Sequence, residues 1–462
     1  MTSSKIPALE ISALAHDGTG LGFIERGSQG RGKAVFVRGA LPGQLVSCEI
    51  FRDRGSFCEA RLLEIISSPL QTDRPPCRHW HDCGGCPLQP MPYQAQLFWK
   101  EKLVRDAMER IGKFPPEELE IAWLRADGEA PMPSARNKVE LAFGQDEAGK
   151  LVIGFRRRAS HQVFQLQDCG LIPDSALPIM AECRQLALEL DIRPQLPRFL
   201  TLRRASDCLW TAILLTGACK SQDRARVRRL GERLLERQPH LDQFLHEERK
   251  RRDLLAKGEK RICHLRKNDA KAPALAMDLC GRKFLIDPAS FFQVNPKGAE
   301  TLARAVLGAD PGLGPLLDLY CGSGSPGQLL SGRHAKCLGI EQDDRAIRFA
   351  RQNGSGLPNW RYVAGKVEDV LAQARIRSGE YPVVLADPPR AGMEQGVTER
   401  LLALAPQRII HVSCNAATLA RDGAVLKKAY KLRQIQLVDM FPDTPHVECC
   451  AVWQLEETGG SV

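Results

Sequence analysis

The chain has 462 residues, of which 43% are hydrophobic and 26% charged, and its formal net charge at pH 7 is +10. This length exceeds what one hydrophobic core covers, so two or three domains are expected in an ordinary soluble globular protein. No apolar run is long enough to span a membrane, so we expect no membrane contact. The first residues lack a signal or transit pattern, which predicts a cytoplasmic protein.

The charge and the cysteine count narrow the class of partner and chemistry. A net positive charge favours a polyanionic partner, although it does not choose between RNA, DNA and acidic protein. Sixteen cysteines in a reducing compartment indicate metal binding, catalysis or burial rather than a disulfide framework.

Residues 1–68 alternate apolar and polar positions between Asp-Gly, Arg-Gly and Pro-Gly turns. Several short strands at this spacing predict a small closed β-barrel as the first domain, and residues 67–76 are typical of a linker. The basic residues of this domain fit two interpretations equally well, contact with nucleic acid and an ordinary solvated surface. They are Arg38, Arg52, Arg54 and Arg61.

Three cysteines within ten residues, Cys77, Cys83 and Cys86, follow the linker in C-x5-C-x2-C spacing with two glycines. Such a group indicates a metal or cluster site, and Cys169 is the best candidate for a fourth ligand. Zinc accepts four cysteines but more usually uses paired C-x2-C elements. A [4Fe–4S] cluster often takes a grouped set with one remote partner, so the spacing favours the cluster and leaves zinc open.

The central segment, residues 69–275, is predicted to be an α+β domain that carries these cysteines. A helix is predicted at 93–111, followed by strand patterns rich in basic residues. Phosphate contact is the favoured interpretation for the basic residues beside the presumed fourth ligand; these are Arg136, Lys138, Arg156, Arg157 and Arg158.

In residues 276–462, short apolar runs alternate with helical patterns, which predicts a doubly wound, mostly parallel sheet. Open sheets of this kind bind ligands at the carboxyl ends of their strands. A glycine-rich turn with a following helix, predicted after the strand at 315–320, suits a cofactor. Glu341 and Asp387 end two further strands, and Cys414 ends another. Position alone leaves Cys414 either a nucleophile or a buried structural thiol.

With these motifs in place, the chain resembles, over nearly its full length, the RNA uracil-5-methyltransferases that use S-adenosylmethionine. The resemblance rests on a TRAM-like (OB-like) barrel, the CGGC group and the stretches FFQVN, DLYCGSG, DPPRAG, VSCNAATLARD and DMFPDTPHVE. It implies a Rossmann-like methyltransferase domain and an RNA substrate, ribosomal (23S) rather than transfer RNA, bound by a monomer.

The resemblance also implies roles for individual residues. A [4Fe–4S] cluster is expected on Cys77, Cys83, Cys86 and Cys169, and S-adenosylmethionine contacts are expected from Gln293, Tyr320, Glu341 and Asp387. Cys414 is the expected nucleophile, and Glu448 the expected base.

Two departures from the family pattern, Pro326 after the glycine turn and Lys366 in VAGKVED, motivate a second hypothesis. Under it, the chain is a non-catalytic RNA-binding protein that kept the fold. A third hypothesis, methylation of a base amino group, is disfavoured because Arg390 rather than an aromatic residue follows Asp387-Pro-Pro.

Overall fold

The computed structural model describes residues 4–24, 32–70, 72, 77–124, 136–251, 253, 255–267, 273–373 and 376–456. The predicted α/β class is confirmed, with a small barrel before two larger sheets. Part of the predicted linker, at 71 and 73–76, lies outside the described residues. Within those residues, no helix is both long and apolar enough to cross a membrane.

The barrel is closed by five strands in the order β1-β2-β3-β5-β4. Alternation turns small and branched side chains inward, where Val35, Val37 and Cys58 are buried, and polar or aromatic ones outward. The strands are β1 Ser4–Leu14, β2 Gly20–Ile24, β3 Lys33–Arg38, β4 Leu45–Asp53 and β5 Phe57–Ser67.

Helix α1, Tyr93–Arg110, and the short strand β6, Ile121–Trp123, follow the cysteine segment. Gln96, Lys100 and Val104 recur every four residues along α1 and are buried, so this stripe faces the protein. Both elements pack with the C-terminal part of the chain rather than with the central sheet. The domain boundaries at 68/69 and 275/276 stay predictions.

The central sheet has seven strands in the order β13-β12-β11-β10-β7-β8-β9, and two helices, α2 Ala176–Glu189 and α3 Ser221–Arg237, share its hydrophobic core. Only β11 and β12 pair in parallel within it. The strands are β7 Lys138–Gln145, β8 Leu151–Arg156, β9 Val163–Gln165, β10 Pro197–Arg204, β11 Trp210–Thr216, β12 Leu241–Glu248 and β13 Lys260–Arg266.

A two-stranded hairpin leads into the C-terminal sheet, whose order is β18-β17-β16-β19-β20-β22-β21-β6. Two hydrophobic cores flank this sheet, as a doubly wound fold requires. The strands are β14 Leu275–Leu279, β15 Arg282–Ile286, β16 Leu316–Leu319, β17 Cys337–Glu341, β18 Trp360–Ala364, β19 Val383–Ala386, β20 Arg408–Ser413, β21 Tyr430–Val438 and β22 Glu448–Leu455. The helices are α4 Pro296–Ala309, α5 Asp344–Asn353, α6 Val367–Gln373, α7 Gln395–Leu404 and α8 Ala416–Leu426.

Strand order reverses at β16, which lies between β17 and β19, so the carboxyl ends of these strands form the expected ligand crevice. The helix predicted after the glycine turn is a 3₁₀ helix, Gly327–Arg333, instead of an α-helix. The segment contains Gly327 and Gly332, and glycine destabilises a regular α-helix.

Candidate active site

The antiparallel pairing of β20 and β22 places Cys414 beside Glu448. Ser413, the last residue of β20, pairs with Cys449, so one further step along each strand brings Cys414 opposite Glu448. The thiol of Cys414 is half-buried, and Glu448 is 4% exposed. A thiol and a carboxyl group therefore lie together at the end of the sheet.

Burial sets the ionisation of this pair. It raises the pKa of Glu448 to about 8, helped by the nearby charge of Asp387. It raises the pKa of Cys414 to about 11, and the charge of Glu448 adds to that rise. Arg390 is the cation that opposes both shifts. Near neutral pH the free protein therefore holds a proton on each group.

The asparagine of the Ser-Cys-Asn sequence has a structural role. The Asn415 side chain caps α8 by accepting a hydrogen bond from the Ala417 N–H at 3.0 Å. Its Nδ2 donates to the Arg390 carbonyl oxygen at 3.2 Å, which ties the Cys414 loop to the loop after β19. The start of α8 also lies next to Cys414, where the helix dipole favours a thiolate.

Carboxylates line the crevice at the strand ends. Glu341 accepts hydrogen bonds from the backbone N–H of Gly322 at 3.1 Å and of Asp343 at 2.6 Å, which fixes its orientation. Asp318 on β16 is buried, and burial together with the charges of Asp387 and Glu341 raises its pKa well above the ordinary value. Burial also raises the pKa of Asp387 to about 6.

Tyr320 follows β16 directly in a left-handed conformation with φ of 63°. Its buried hydroxyl has no hydrogen-bond partner among the described residues, and burial raises its pKa. The Lys366 side chain is 62% exposed, and its Nζ lies 3.9 Å from a Glu368 carboxylate oxygen.

Gln293 lies on a separate loop between β15 and α4, and the central sheet holds that loop. The fully buried Arg203 donates hydrogen bonds to the carbonyl oxygens of Ser290 and Phe292, the latter at 3.3 Å. Asn137 Nδ2 donates to the Gln293 carbonyl oxygen at 3.2 Å. The position of Gln293 therefore depends on side chains from the central part of the chain.

Helix α1 holds the loop that precedes Glu448. Lys100 Nζ lies 2.6 Å from Asp439 Oδ1 and donates to the Phe441 carbonyl oxygen at 2.9 Å. Gln96 exchanges two hydrogen bonds of 2.9 Å with Asp443, one to its side chain and one from its backbone N–H. These contacts join residues that are far apart in the sequence, so local sequence patterns do not predict them.

The four predicted cluster cysteines come together in the described structure. The backbone N–H of Gln167 donates to His79 Nε2 at 3.2 Å, and Arg78 pairs with Asp168 at 2.7 Å, so the cysteine segment folds onto the loop of Cys169. Burial raises the pKa of Cys169, and the charges of Cys83 and Cys77 add to that rise.

All four cysteines, Cys77, Cys83, Cys86 and Cys169, are partly buried and free of disulfide bonds. Four thiolates suit zinc as well as a [4Fe–4S] cluster, so this ligand set leaves both open.

A different group of ligand-type atoms, from Cys219, His246 and Glu248, lies within 4.8 Å of one another. Most of its polar atoms already have protein partners, whereas the buried His246 Nδ1 has none among the described residues. Arg224 binds both oxygens of Glu248 at 2.7 and 2.8 Å, and the Thr216 hydroxyl lies 2.9 Å from His246 Nε2 and 3.1 Å from Cys219 Sγ. We assign no ion to this group.

Comparison with known proteins places this site in a family. The family model described as tRNA (uracil-5-)-methyltransferase matches residues 366–456, and that of the TRAM domain matches residues 8–63. An uncharacterized RNA methyltransferase of Nitratidesulfovibrio vulgaris is 31% identical over 451 residues, covering 93% of each chain. The chain belongs to the RNA uracil-5-methyltransferase family.

Further relatives agree with the methyltransferase assignment. An uncharacterized RNA methyltransferase of Clostridium tetani is 31% identical over 95% of this chain and 94% of its own. The solved tRNA (uracil-54, C5)-methyltransferase of Pyrococcus abyssi, in complex with S-adenosyl-L-homocysteine, superimposes with a TM-score of 0.71 over 98% of this chain and 100% of its own, at 22% identity. That likeness confirms the fold.

Two candidate site residues of the methyltransferase escaped the sequence interpretation. Arg390 stands in DPPRAG, where a cation after a strand-end acid was a usable signal. Asp318 stands inside the apolar run of β16, where a single acid among buried residues was the signal.

Proposed function

We propose that this chain forms 5-methyluridine in RNA by covalent catalysis through Cys414. The adjacency of Cys414 and Glu448 at the ends of β20 and β22 carries the proposal. Uracil C5 is too weak a nucleophile to accept a methyl group directly. A thiolate that adds to C6 makes C5 the nucleophilic carbon of an enolate.

The chain's residues then account for each bond. The Cys414 thiol gives its proton to solvent, its sulfur forms a bond to C6, and the electron pair of the C5–C6 double bond moves towards O4. When bound, S-adenosylmethionine would supply an electrophilic methyl group to C5, with the sulfur–methyl bond broken and S-adenosylhomocysteine as the leaving group. The Glu448 carboxylate takes the proton from C5, the C5–C6 double bond reforms, and the sulfur–C6 bond breaks to release Cys414. Arg390 supports the thiolate by its charge.

The crevice fits a cationic cofactor. Asp318, Glu341 and Asp387 cluster at the carboxyl ends of β16, β17 and β19. The negative charges of Glu341 and Asp387 suit sulfonium and ammonium groups. Glu341 ends the strand that holds ribose hydroxyls in sheets of this kind. We assign Gln293, Tyr320, Glu341 and Asp387 as the residues that hold S-adenosylmethionine.

We also propose that Cys77, Cys83, Cys86 and Cys169 hold a [4Fe–4S] cluster. The C-x5-C-x2-C grouping with one remote cysteine supports this choice. Anaerobic purification should give four iron atoms per chain and a visible absorption band, both lost in Cys169→Ser and kept in the control Cys263→Ser. Stoichiometric zinc would overturn the assignment.

The proposed target is 23S ribosomal RNA, bound by a monomer of three domains spanning 1–68, 69–275 and 276–462. The combination of TRAM barrel and cysteine group supports this target. Transfer RNA is the alternative, because the matching family model and the Pyrococcus abyssi relative are named for it. Mapping 5-methyluridine in both RNA classes from a deletion strain decides between them.

The mechanism is tested with RNA that contains 5-fluorouridine, whose C5 fluorine cannot leave as a proton. Wild-type protein should form a stable covalent adduct, and Cys414→Ala should form none. Glu448→Gln should transfer the methyl group yet retain the adduct on ordinary RNA. Cys208→Ala removes an exposed thiol elsewhere and should behave as wild type. Full methylation by Cys414→Ala would refute the mechanism and favour another chemistry.

The alternative of a non-catalytic RNA-binding protein is tested separately by calorimetry with S-adenosylmethionine. It is motivated by Pro326 and by Lys366, whose side chain is 62% exposed. Micromolar or tighter cofactor binding would count against it.

A further inference from the structure

A buried network of four charged side chains joins the central sheet to the C-terminal part of the chain. Glu247 on β12 and Arg261 on β13 belong to the central sheet. Asp287 follows β15 and begins the loop that carries Gln293, and Arg345 lies in the first turn of α5. Glu247 is fully buried, Asp287 is 2% exposed, and the arginine side chains are mostly covered. The network holds two positive and two negative groups, so its charges balance.

Glu247 lies at the centre of this network. Its Oε1 accepts hydrogen bonds from Arg345 Nη1 at 2.7 Å and from Arg261 Nε and Nη2 at 3.1 and 3.0 Å. Its Oε2 accepts one from the Gly258 N–H at 3.0 Å. A buried carboxylate is costly unless donors surround it, and here each oxygen has at least one. Removing the Glu247 charge would therefore leave two guanidinium groups close together without the carboxylate between them.

One arm of the network ends at the loop of Gln293. Arg261 binds both carboxylate oxygens of Asp287, at 3.0 and 2.8 Å. The Asp287 carboxylate also accepts a hydrogen bond from the Ala289 N–H at 2.9 Å, and its carbonyl oxygen accepts one from the Ser290 N–H at 2.9 Å. A bidentate contact of this kind fixes orientation as well as distance. The turn that leads to Gln293 is therefore held by β13.

The other arm ends beside Glu341. Asp343 caps α5 by accepting a hydrogen bond from the Arg345 N–H at 3.0 Å, and its own N–H donates to Glu341 at 2.6 Å. Lys257, from the segment between β12 and β13, lies 2.6 Å from the Asp343 carboxylate. The central part of the chain thus contacts the start of α5 at two neighbouring positions, and both are close to Glu341 in the sequence.

The opposite end of α5 is held separately. Asn353 accepts a hydrogen bond from the Leu285 N–H and donates one to the Leu285 carbonyl oxygen, both at 2.8 Å. These bonds join α5 to β15 and do not involve the central sheet. Loss of the Glu247 network should therefore free the start of α5 and the Gln293 loop, while the end of α5 stays in place.

We propose that Glu247 is a positioning residue for the cofactor site, which aligns the Gln293 loop with the strand end of Glu341 through Arg261 and Arg345. The inference rests on the proposed function for the assignment of Gln293 and Glu341 as contacts of S-adenosylmethionine. These two contacts come from separate segments of the chain, and a ligand binds more tightly when such segments are ordered before it arrives. The central sheet therefore contributes to cofactor affinity.

Calorimetry of S-adenosyl-L-homocysteine binding to the full-length protein tests this role. Glu247→Gln should raise the Kd about tenfold, as expected when a charge-assisted hydrogen bond that orders the site is lost. In methyl transfer to RNA, the same variant should raise the KM for S-adenosylmethionine by a similar factor and change kcat less. Arg345→Gln should also raise the Kd. The double variant Glu247→Gln/Arg345→Gln should raise it by less than the product of the single effects, because the two residues act as one unit.

Glu248→Gln is the matched control, because Glu248 is the next carboxylate on β12, is also buried, and pairs with Arg224 on α3 instead. Arg348→Gln removes an exposed arginine from the same helix as Arg345. Both should bind S-adenosyl-L-homocysteine as wild type does. Hydrogen–deuterium exchange should rise at 287–293 and 341–347 in Glu247→Gln and stay unchanged there in Glu248→Gln, since local opening follows the loss of local contacts.

A second variant keeps the test decisive where Glu247→Gln does not fold. Lys257→Gln removes only the pair with Asp343, and the Lys257 side chain is 47% exposed, so the variant should fold and raise the Kd about threefold. Unchanged affinity in Glu247→Gln, or an equal loss in Glu248→Gln, would overturn the proposal. Where Glu247→Gln does not fold, unchanged affinity in Lys257→Gln would overturn it.

The outcomes separate this inference from the proposed function. Normal methylation by wild type, with full cofactor affinity in the Glu247 and Lys257 variants, removes the positioning role and leaves the chemistry. Loss of affinity in these variants of a protein that binds the cofactor and methylates no uridine keeps the positioning role and removes the chemistry. Wild-type protein that binds no S-adenosyl-L-homocysteine would overturn both.

Discussion

Lys100 and Asp439 form a buried ion pair, with 2.6 Å between Nζ and Oδ1 and side chains 0% and 4% exposed. Lys100→Met would leave the carboxylate buried without its partner, which costs about 3–5 kcal/mol of unfolding free energy. Because this pair holds the loop before Glu448, methylation should fall as well. Urea denaturation and a methyl-transfer assay measure the two effects.

The control for this pair is Lys102→Met, which removes an exposed ion pair with Asp106 and should change stability by less than about 1 kcal/mol. The double variant Lys100→Met/Asp439→Leu should recover much of the loss, since no charge is then left unpaired. A single variant as stable as wild type would contradict the prediction.

Arg203→Met should raise the KM for S-adenosylmethionine about tenfold with a smaller effect on kcat. The variant removes the donors that hold Ser290 and Phe292, and the freed carbonyl groups stay buried. The Gln293 loop then loses its fixed position. Arg204→Met is the matched control, because the Arg204 side chain donates to Cys208 Sγ rather than to the Gln293 loop among the described residues. Equal kinetics in the two variants would refute the link.

The rate should rise with pH, since the proposed chemistry needs Glu448 and Cys414 without their protons. With a pKa of about 8, Glu448 is protonated below that pH and becomes a base above it. Cys414 ionises higher still, so kcat/KM should climb from pH 6 through pH 9.

Arg390→Met should move this profile to higher pH, because the cation that favours both ionised forms is gone. Arg433→Met, on the exposed side of β21, should leave it unmoved. The measurement is kcat/KM at saturating cofactor across the pH range. A profile that stays in place in Arg390→Met would show that Arg390 does not act on the pair.

The burial of His411 predicts that the folded protein loses stability in acid. His411 is fully buried, and burial lowers its pKa from 6.5 to about 4. Between pH 6.5 and pH 4, the unfolded chain therefore binds a proton at His411 that the folded chain does not bind. The contribution of His411 to stability is intact above pH 6.5 and is lost as the pH falls towards 4. The loss attributable to His411 reaches up to about 3 kcal/mol.

His411→Leu should flatten the stability curve between pH 6.5 and 4. Denaturation midpoints at several pH values test this prediction. His161, an exposed histidine, provides the control His161→Leu with an unchanged curve. An equal acid loss in both variants would assign the sensitivity to other groups.

Local pattern was enough to predict the barrel and the parallel sheet. Alternation in β3 and β5, and the apolar runs of β16 and β19, are properties of neighbouring residues. Strand-end side chains such as Asp387 could be placed at the crevice because parallel strands bring their carboxyl ends together.

Local sequence pattern could not predict the contacts between residues far apart in the chain. The sequence around Lys100 contains no signal for its ion pair with Asp439. The sequence around Arg203 likewise contains no signal for the carbonyl groups to which it donates. The segment Gly327–Arg333 is a 3₁₀ helix rather than the predicted α-helix, because its two glycines weaken the α-helical pattern. A thiolate nucleophile is stabilised by a nearby cation, and the folded chain identifies that cation as Arg390.

Strand β6 has a consequence for biosynthesis. Ile121 pairs with Ile435, so this strand leaves the ribosome long before its neighbour is made. At about 5–20 residues per second, the interval is roughly 15–60 seconds. During that time the barrel can already have closed, whereas helix α1 and β6 wait with apolar surface uncovered. The nascent chain should therefore be most accessible to chaperones and proteases during this interval. The sheet is complete only when the last strands pair with β6, which was synthesised much earlier.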